Sequence, residues 1–362
     1  MIKDDTLNRP NKHPTFFQTL QDGRLLCTLC PRACKLADGQ QGLCFVRERQ
    51  NDTIQLSTYG RSSGFVIDPI EKKPLNHFYP GTSVLSFGTA GCNLSCKFCQ
   101  NWDMSKSREM DRLQSQASPE SIAQAAYEHG CKSVAFTYND PVIFYEYAVD
   151  TAIACHELGI KTVAVTAGYI TEHARPGFFR HIDAVNVDLK GFSEAFYHDL
   201  CAGSLQPVLD TLEYLVKESQ VWTEITTLVI PGANDSETEL NAMTKWIFKH
   251  LGPQIPLHFS AFHPDYKMLD RPSTTHQSLL KAKQIAVKNG LEYVYLGNVP
   301  DTENATTRCP SCNKIAIGRS GYTITEWQID HQGLCNSCDQ IVPGLFEESP
   351  GSWGNNYQRI HI

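Results

Sequence analysis

Between about residue 81 and residue 300, short apolar runs alternate with longer amphipathic stretches, a pattern of repeated strand and helix units. The apolar runs predict strands at Ser83 to Gly88, Ser133 to Tyr138, Thr162 to Thr166, Ala184 to Leu189, Thr223 to Ile230, Leu257 to Ala261 and Tyr293 to Leu296. The stretches between them predict helices. SPESIAQAAYEHG opens on a Ser suited to cap a helix start, with a Glu in the first turn, and VIFYEYAVDTAIACHELG stops at Gly159. Sequential βα units imply parallel strands, as a barrel or as a doubly wound sheet, and in either case the reactive end lies at the strand C-termini.

A chain of 362 residues leaves room for appendages on that core. The sequence divides into an N-terminal segment (1–80), the βα core (81–300) and a C-terminal segment (301–362). At 41% hydrophobic and 20% charged residues it has a globular composition, and no apolar run approaches a membrane span. The opening MIKDDTLNRPNKHPTFF has no apolar stretch of the kind that leads secretion, so a cytoplasmic location is expected. A net charge of -7 argues against nucleic acid as the main partner.

Cysteine usage changes the picture most. Of 14 cysteines, eleven fall into three spaced clusters, which in a cytosolic chain favours metal over disulfide. The remaining Cys131, Cys155 and Cys201 are expected as small buried hydrophobes. The strand SVLSFGT runs into AGCNLSCKFCQNWDMSK, placing Cys92, Cys96 and Cys99 in a CxxxCxxC loop at the catalytic end. Iron-sulfur cubanes are normally held by four thiolates, and three can leave one iron open to a reactant. A zinc site completed by a histidine, or inert buried thiols, are the alternatives.

The CxxxCxxC spacing, with Phe98 before Cys99, resembles the loop of radical S-adenosylmethionine (SAM) enzymes. The resemblance implies a [4Fe-4S] cluster whose open iron chelates SAM and splits it reductively, yielding a radical that abstracts hydrogen. It extends through VAFTYNDPVIFYEY, VTAGYITEHA, AVNVDLKGFSEAFY, EITTLVIPGANDS, HFSAFHPDYKM and YLGNVPDTENATTRCPSC. Together these strings resemble the radical SAM member of the AmmeMemoRadiSam system, related to pyruvate formate-lyase activating enzymes. That implies an α/β fold with a partial (β/α) barrel, and an activase-like enzyme acting on a protein, peptide or small molecule. It also implies an electron donor such as flavodoxin or ferredoxin, and Memo-like and AmmeMemo-like partner proteins.

Residue by residue, the resemblance puts Tyr138, Asn139 and Asp140 where relatives often carry Gly-Gly-Glu, so Asp140 is expected to receive the SAM amino group. Thr166, Ala167 and Gly168 stand where relatives have Thr-Asn-Gly near the ribose, and Ala167 lacks the polar arm. An arginine expected near Ala261 is absent. Asp188 and Lys190, two apart, face one way if the strand continues, and either pair with each other or meet the two charges of SAM. Glu224 and Thr226 alternate in the same manner and are cavity candidates, Glu224 suiting a structural role equally well. His263, Asp265, Tyr266 and Lys267 form a polar loop that either shapes a substrate pocket or is solvated.

Both ends carry four-cysteine sets. Cys309, Cys312, Cys335 and Cys338 have the spacing of a structural zinc ribbon, with a rubredoxin-like iron as the lesser option, and RSGYTITEWQID suits a hairpin between the knuckles. Cys27, Cys30, Cys34 and Cys44 are compatible with zinc or an auxiliary Fe-S cluster, a structural metal being favoured. A different class of function stays open: a non-catalytic metal-binding adaptor docking protein or nucleic acid through the ribbon.

Overall fold

The computed structural model describes residues 13–106 and 115–362. Most of the polar opening read against a secretion leader, residues 1–12, lies outside them. The core is a nine-stranded sheet. In chain order its strands are β1 (Phe65–Pro69), β2 (Ser83–Phe87), β3 (Ser133–Phe136), β4 (Lys161–Thr166), β5 (Ala184–Asp188), β6 (Trp222–Val229), β7 (Leu257–Ala261), β8 (Val294–Gly297) and β9 (Gln358–Ile360). All seven predicted strands are present, as β2 to β8.

Strands β2 to β8 are parallel and lie side by side in sequence order. This order decides between the two parallel architectures. A doubly wound sheet reverses its strand order at a switch point. Here each crossover advances one place in the same direction, so the helices gather on one face and the sheet curls as a partial barrel. The crossover helices include α1 (Pro119–Glu128), α2 (Tyr145–Glu157), α3 (Gln206–Glu218), α4 (Glu237–Leu251) and α5 (His276–Lys288). Three of them start on capping side chains, Ser118, Ser236 and Thr275, each accepting a backbone N–H from the first turn at 3.1–3.2 Å.

The seam stays open at β8. At the other edge β1 joins β2 antiparallel, and β9, from the end of the chain, pairs antiparallel with β1. Both flanking segments therefore contribute to the main sheet. Neither strand shows a full apolar run: Phe65–Pro69 ends on Asp68 and Pro69, and two of the three residues of Gln358–Ile360 are polar.

The floor, at the N-terminal ends of the parallel strands, is closed by residues 70–82 and the C-terminal module. Glu224 points into it, fully buried, and accepts hydrogen bonds from the backbone N–H groups of Asn76 and His77 and from Trp222 Nε1, with His258 Nε2 2.6 Å away. Arg319 of the module reaches the same floor, donating to the Asn76 carbonyl at 2.5 Å and to Thr307 Oγ1 at 2.8 Å. The module itself is a small antiparallel sheet of Thr307–Arg308, Ile315–Ser320 and Thr323–Trp327, the expected hairpin among them. The N-terminal segment docks at the opposite end, where the Thr171 N–H and hydroxyl donate to the carbonyls of Leu29 and Thr28. No helix among the described residues is long and apolar enough to cross a membrane.

Candidate active site

Beyond β2 the chain turns at once into the three-cysteine loop. The turn requires Gly88, because a Cβ there would lie 2.3 Å from the Thr137 carbonyl oxygen. The reason for this close approach is Asn139, which follows β3 and clamps the loop. Its Oδ1 accepts the Thr89 N–H at 3.0 Å and its Nδ2 donates to the Gly91 carbonyl at 2.9 Å. Tyr138, just before it, takes a left-handed φ of 71°, which aims Asn139 at the loop. Further along, Asn93 Nδ2 donates to the Tyr169 carbonyl and Lys106 Nζ to the Leu94 carbonyl, at 2.9 and 2.7 Å. The loop is held by hydrogen bonds on every side.

Cys92, Cys96 and Cys99 line a cavity of about 300 Å³ at the C-terminal ends of the strands. Burial pushes the Cys92 thiol up to about 11 and raises Cys99. At Cys96 the adjoining Cys201 thiol, together with burial, raises it further. Left alone, these thiols stay protonated at neutral pH, and a bound metal reverses that. Cys201 is fully buried and does not line the cavity. No histidine lines it among the described residues, so the alternative of a zinc completed by histidine lacks its fourth ligand.

Asp188 and Lys190 both line the cavity and pair at 2.8 Å, although β5 ends at Asp188. Burial alone would lower the Lys190 ammonium, but Asp188 and the nearby cysteines hold it well above its ordinary range. Thr226 Oγ1 also lines the cavity, buried and without a hydrogen-bond partner among the described residues. A carboxylate, an ammonium and an unused hydroxyl suit a zwitterionic ligand.

Asp140 is engaged differently. Its carboxylate accepts hydrogen bonds from the N–H groups of Val142 and Ala167 at 3.1 and 2.9 Å and from the Thr166 hydroxyl at 3.0 Å. It caps the turn Pro141–Phe144 and ties β3 to the end of β4. Burial raises its carboxyl in spite of those bonds.

Residues 87–242 match the Radical SAM superfamily. An uncharacterized protein of Methanocaldococcus jannaschii is 39% identical over 328 residues, covering 90% of this chain and 97% of that one. The chain belongs to the radical SAM superfamily. A second M. jannaschii protein, provisionally named a glycyl-radical enzyme activating enzyme, is 24% identical over 58% of this chain and 77% of its own length. The 4-hydroxyphenylacetate decarboxylase activating enzyme of Clostridioides difficile is 21% identical over 46% of this chain and 55% of its own.

In this radical SAM chain, then, the structure gathers Cys92, Cys96, Cys99, Tyr138, Asn139, Asp140, Thr166, Asp188, Lys190 and Thr226 around one cavity. Tyr138 also reaches away from the cysteines, its phenol 3.3 Å from Asp68. Gly168 sits just past the lining, its N–H donating to the Thr166 hydroxyl. Glu224 belongs to the floor and not to the cavity. His263, Asp265, Tyr266 and Lys267 do not line it either. They pack on the outside of the cysteine loop, where His263 lies 3.2 Å from Gln100 and Tyr266 stacks on Trp102 at 5.6 Å. Sequence reasoning missed Ser260 and Asn298, which line the wall where an arginine was expected. The alternation of HFSA, with Ser260 two past His258, could have found the first.

At the far end, Cys309, Cys312, Cys335 and Cys338 have ligand atoms all within 4.8 Å of one another, with Sγ pairs at 3.5 and 3.8 Å. That is the spacing of four thiolates around a single ion.

Proposed function

We propose that this chain binds a [4Fe-4S] cluster through Cys92, Cys96 and Cys99 and cleaves SAM reductively, taking hydrogen from a protein, peptide or small-molecule substrate in the manner of an activating enzyme. The observation that carries the reading is the three-thiol loop, clamped by Asn139 over a cavity that also presents Asp188, Lys190 and an unpartnered Thr226. When bound, cluster and SAM would supply a low-potential electron and a carbon radical. The protein's part is to hold, orient and exclude water. Asp188 would accept from the SAM ammonium and Lys190 would face its carboxylate, because the oxygens of Asp140 are already occupied by β4 and its own turn. Thr166 and Gly168 would border the ribose from the end of β4.

The six ordered strings support membership in the AmmeMemoRadiSam type, with Memo-like and AmmeMemo-like proteins as partners or substrates and flavodoxin or ferredoxin as reductant. The C-terminal thiols would hold structural zinc. The adaptor reading gains no support from the module, whose Arg319 is spent on the barrel floor. The test is anaerobic reconstitution, reduction and addition of SAM, read by electron paramagnetic resonance. SAM should change the spectrum of the reduced cluster, and deuterium from a labelled candidate partner should enter 5′-deoxyadenosine. A cluster spectrum indifferent to SAM would sink the proposal.

A further inference from the structure

Four more thiols, Cys27, Cys30, Cys34 and Cys44, surround a separate cavity of about 20 Å³. We propose that this pocket holds a second [4Fe-4S] cluster, not a zinc ion, seated against the back of the catalytic cysteine loop. The inference stands independently of the reading of the barrel site.

The first argument is the spacing of the sulfurs. A tetrahedral zinc bound about 2.3 Å from each thiolate draws its sulfurs to within roughly 4 Å of one another. The C-terminal thiols show that spacing, and among the described residues they are the one set whose ligand atoms all lie within 4.8 Å of each other. No three of the N-terminal thiols meet that test, and neither do Cys92, Cys96 and Cys99. In a cubane each thiolate binds a different iron at its own corner, so the sulfurs must stand apart around a body of metal and sulfide.

The second argument is Arg32. Its Nη2 is buried without a hydrogen-bond partner among the described residues, and the residue lines this cavity. Of the four sulfurs, Cys34 Sγ accepts the Leu43 N–H at 3.5 Å. A cluster brings bridging sulfides as additional acceptors, and a zinc ion brings none. A bridging sulfide would give the buried Arg32 Nη2 the acceptor it lacks.

Placement follows from the same residues. Arg32 Nε donates to the Asn93 carbonyl at 3.0 Å, inside the catalytic loop. On the other side of Cys92, a Cβ on Gly91 would lie 1.9 Å from the Cys44 carbonyl oxygen, so only glycine permits this contact. Residues that line the pocket, Arg32 and Cys44, thus touch the neighbours of Cys92 on both sides.

The deciding experiment counts acid-labile sulfide in the full chain reconstituted anaerobically. With clusters at both sites the chain should hold about eight sulfides, and Cys30→Ala with Cys34→Ala should remove about half of them. The Cys92→Ala, Cys96→Ala, Cys99→Ala variant should keep the other half and still give a reduced-cluster resonance that SAM does not alter. About four sulfides in the wild type, all retained in the Cys30/Cys34 variant, would overturn the proposal. Four that vanish in that variant would uphold it and count against the barrel site instead. Should the Cys30/Cys34 variant fail to fold, the triple variant decides: sulfide in it upholds the second cluster, and zinc without sulfide refutes it.

Discussion

At the scale of single residues, the cavity divides its acids by what already occupies them. Asp140 resembles the amino-group acceptor of related enzymes by position, yet its carboxylate is committed to Val142, Thr166 and Ala167. Asp140→Asn puts an amide where acceptors are needed and should destabilise the fold by about 1–3 kcal/mol, seen as a lower melting temperature. Asp188 is the freer carboxylate, and Lys190 its partner across 2.8 Å. Lys190→Met should therefore weaken SAM binding about ten-fold to a hundred-fold, from the loss of a charge-assisted contact of about 1.5–3 kcal/mol, with cluster content unchanged. Anaerobic SAM titration of the two variants separates the roles. The sequence could place both acids at strand ends, but it could not say whose lone pairs were spent, because two of the three donors that fill Asp140, Thr166 and Ala167, come from the end of β4, more than twenty residues away.

At the scale of elements, strand β3 and the loop after β2 form one device. Asn139→Ala should leave the carbonyl of Gly91 and the N–H of Thr89 without their partner, each costing about 1–3 kcal/mol if left unmet, and cluster incorporation should drop sharply in iron assays. A second element-scale tie is Asp183, just before β5. Burial alone would raise its carboxyl, but hydrogen bonds from His156, Lys161 and Thr162 bring it down to about 2 from an ordinary 3.8. A depressed carboxyl stabilises the fold above its unfolded value and loses that contribution as pH falls through the folded one. Asp183→Asn should accordingly lower the melting temperature most at pH above about 4, and the deficit should close as pH falls toward 2. The seven parallel strands were legible because each is a buried apolar run between amphipathic helices. Strands β1 and β9 were not: β1 ends on Asp68 and Pro69, and β9 is three residues that pair with β1 across almost the whole chain.

At the scale of the whole molecule, chemistry and closure lie at opposite ends of the barrel. The cysteine loop and the stretch from Cys27 to Cys44 occupy the C-terminal ends of the strands, while the C-terminal module, through Arg319, and the segment 70–82 seal the floor. Cys309→Ser or Cys335→Ser should release the metal of the module and lower the melting temperature of the entire chain, because β9 and Arg319 tie the module to the sheet. Iron bound at the other end should remain, as absorbance and metal analysis would report. The cysteine spacing sorted eleven cysteines into three sets in the sequence, but the burial of Glu224 in the floor and the contact of Cys201 with Cys96 depend on the closed barrel and had no sequence signal. The central claim is that Cys92, Cys96 and Cys99 support reductive cleavage of SAM, and the most direct test is 5′-deoxyadenosine formation by the reconstituted, reduced chain. The wild type should form it, and the variant with all three cysteines replaced by Ala should form none. Equal product from both, or none from a wild type with its iron and sulfide in place, would contradict the account.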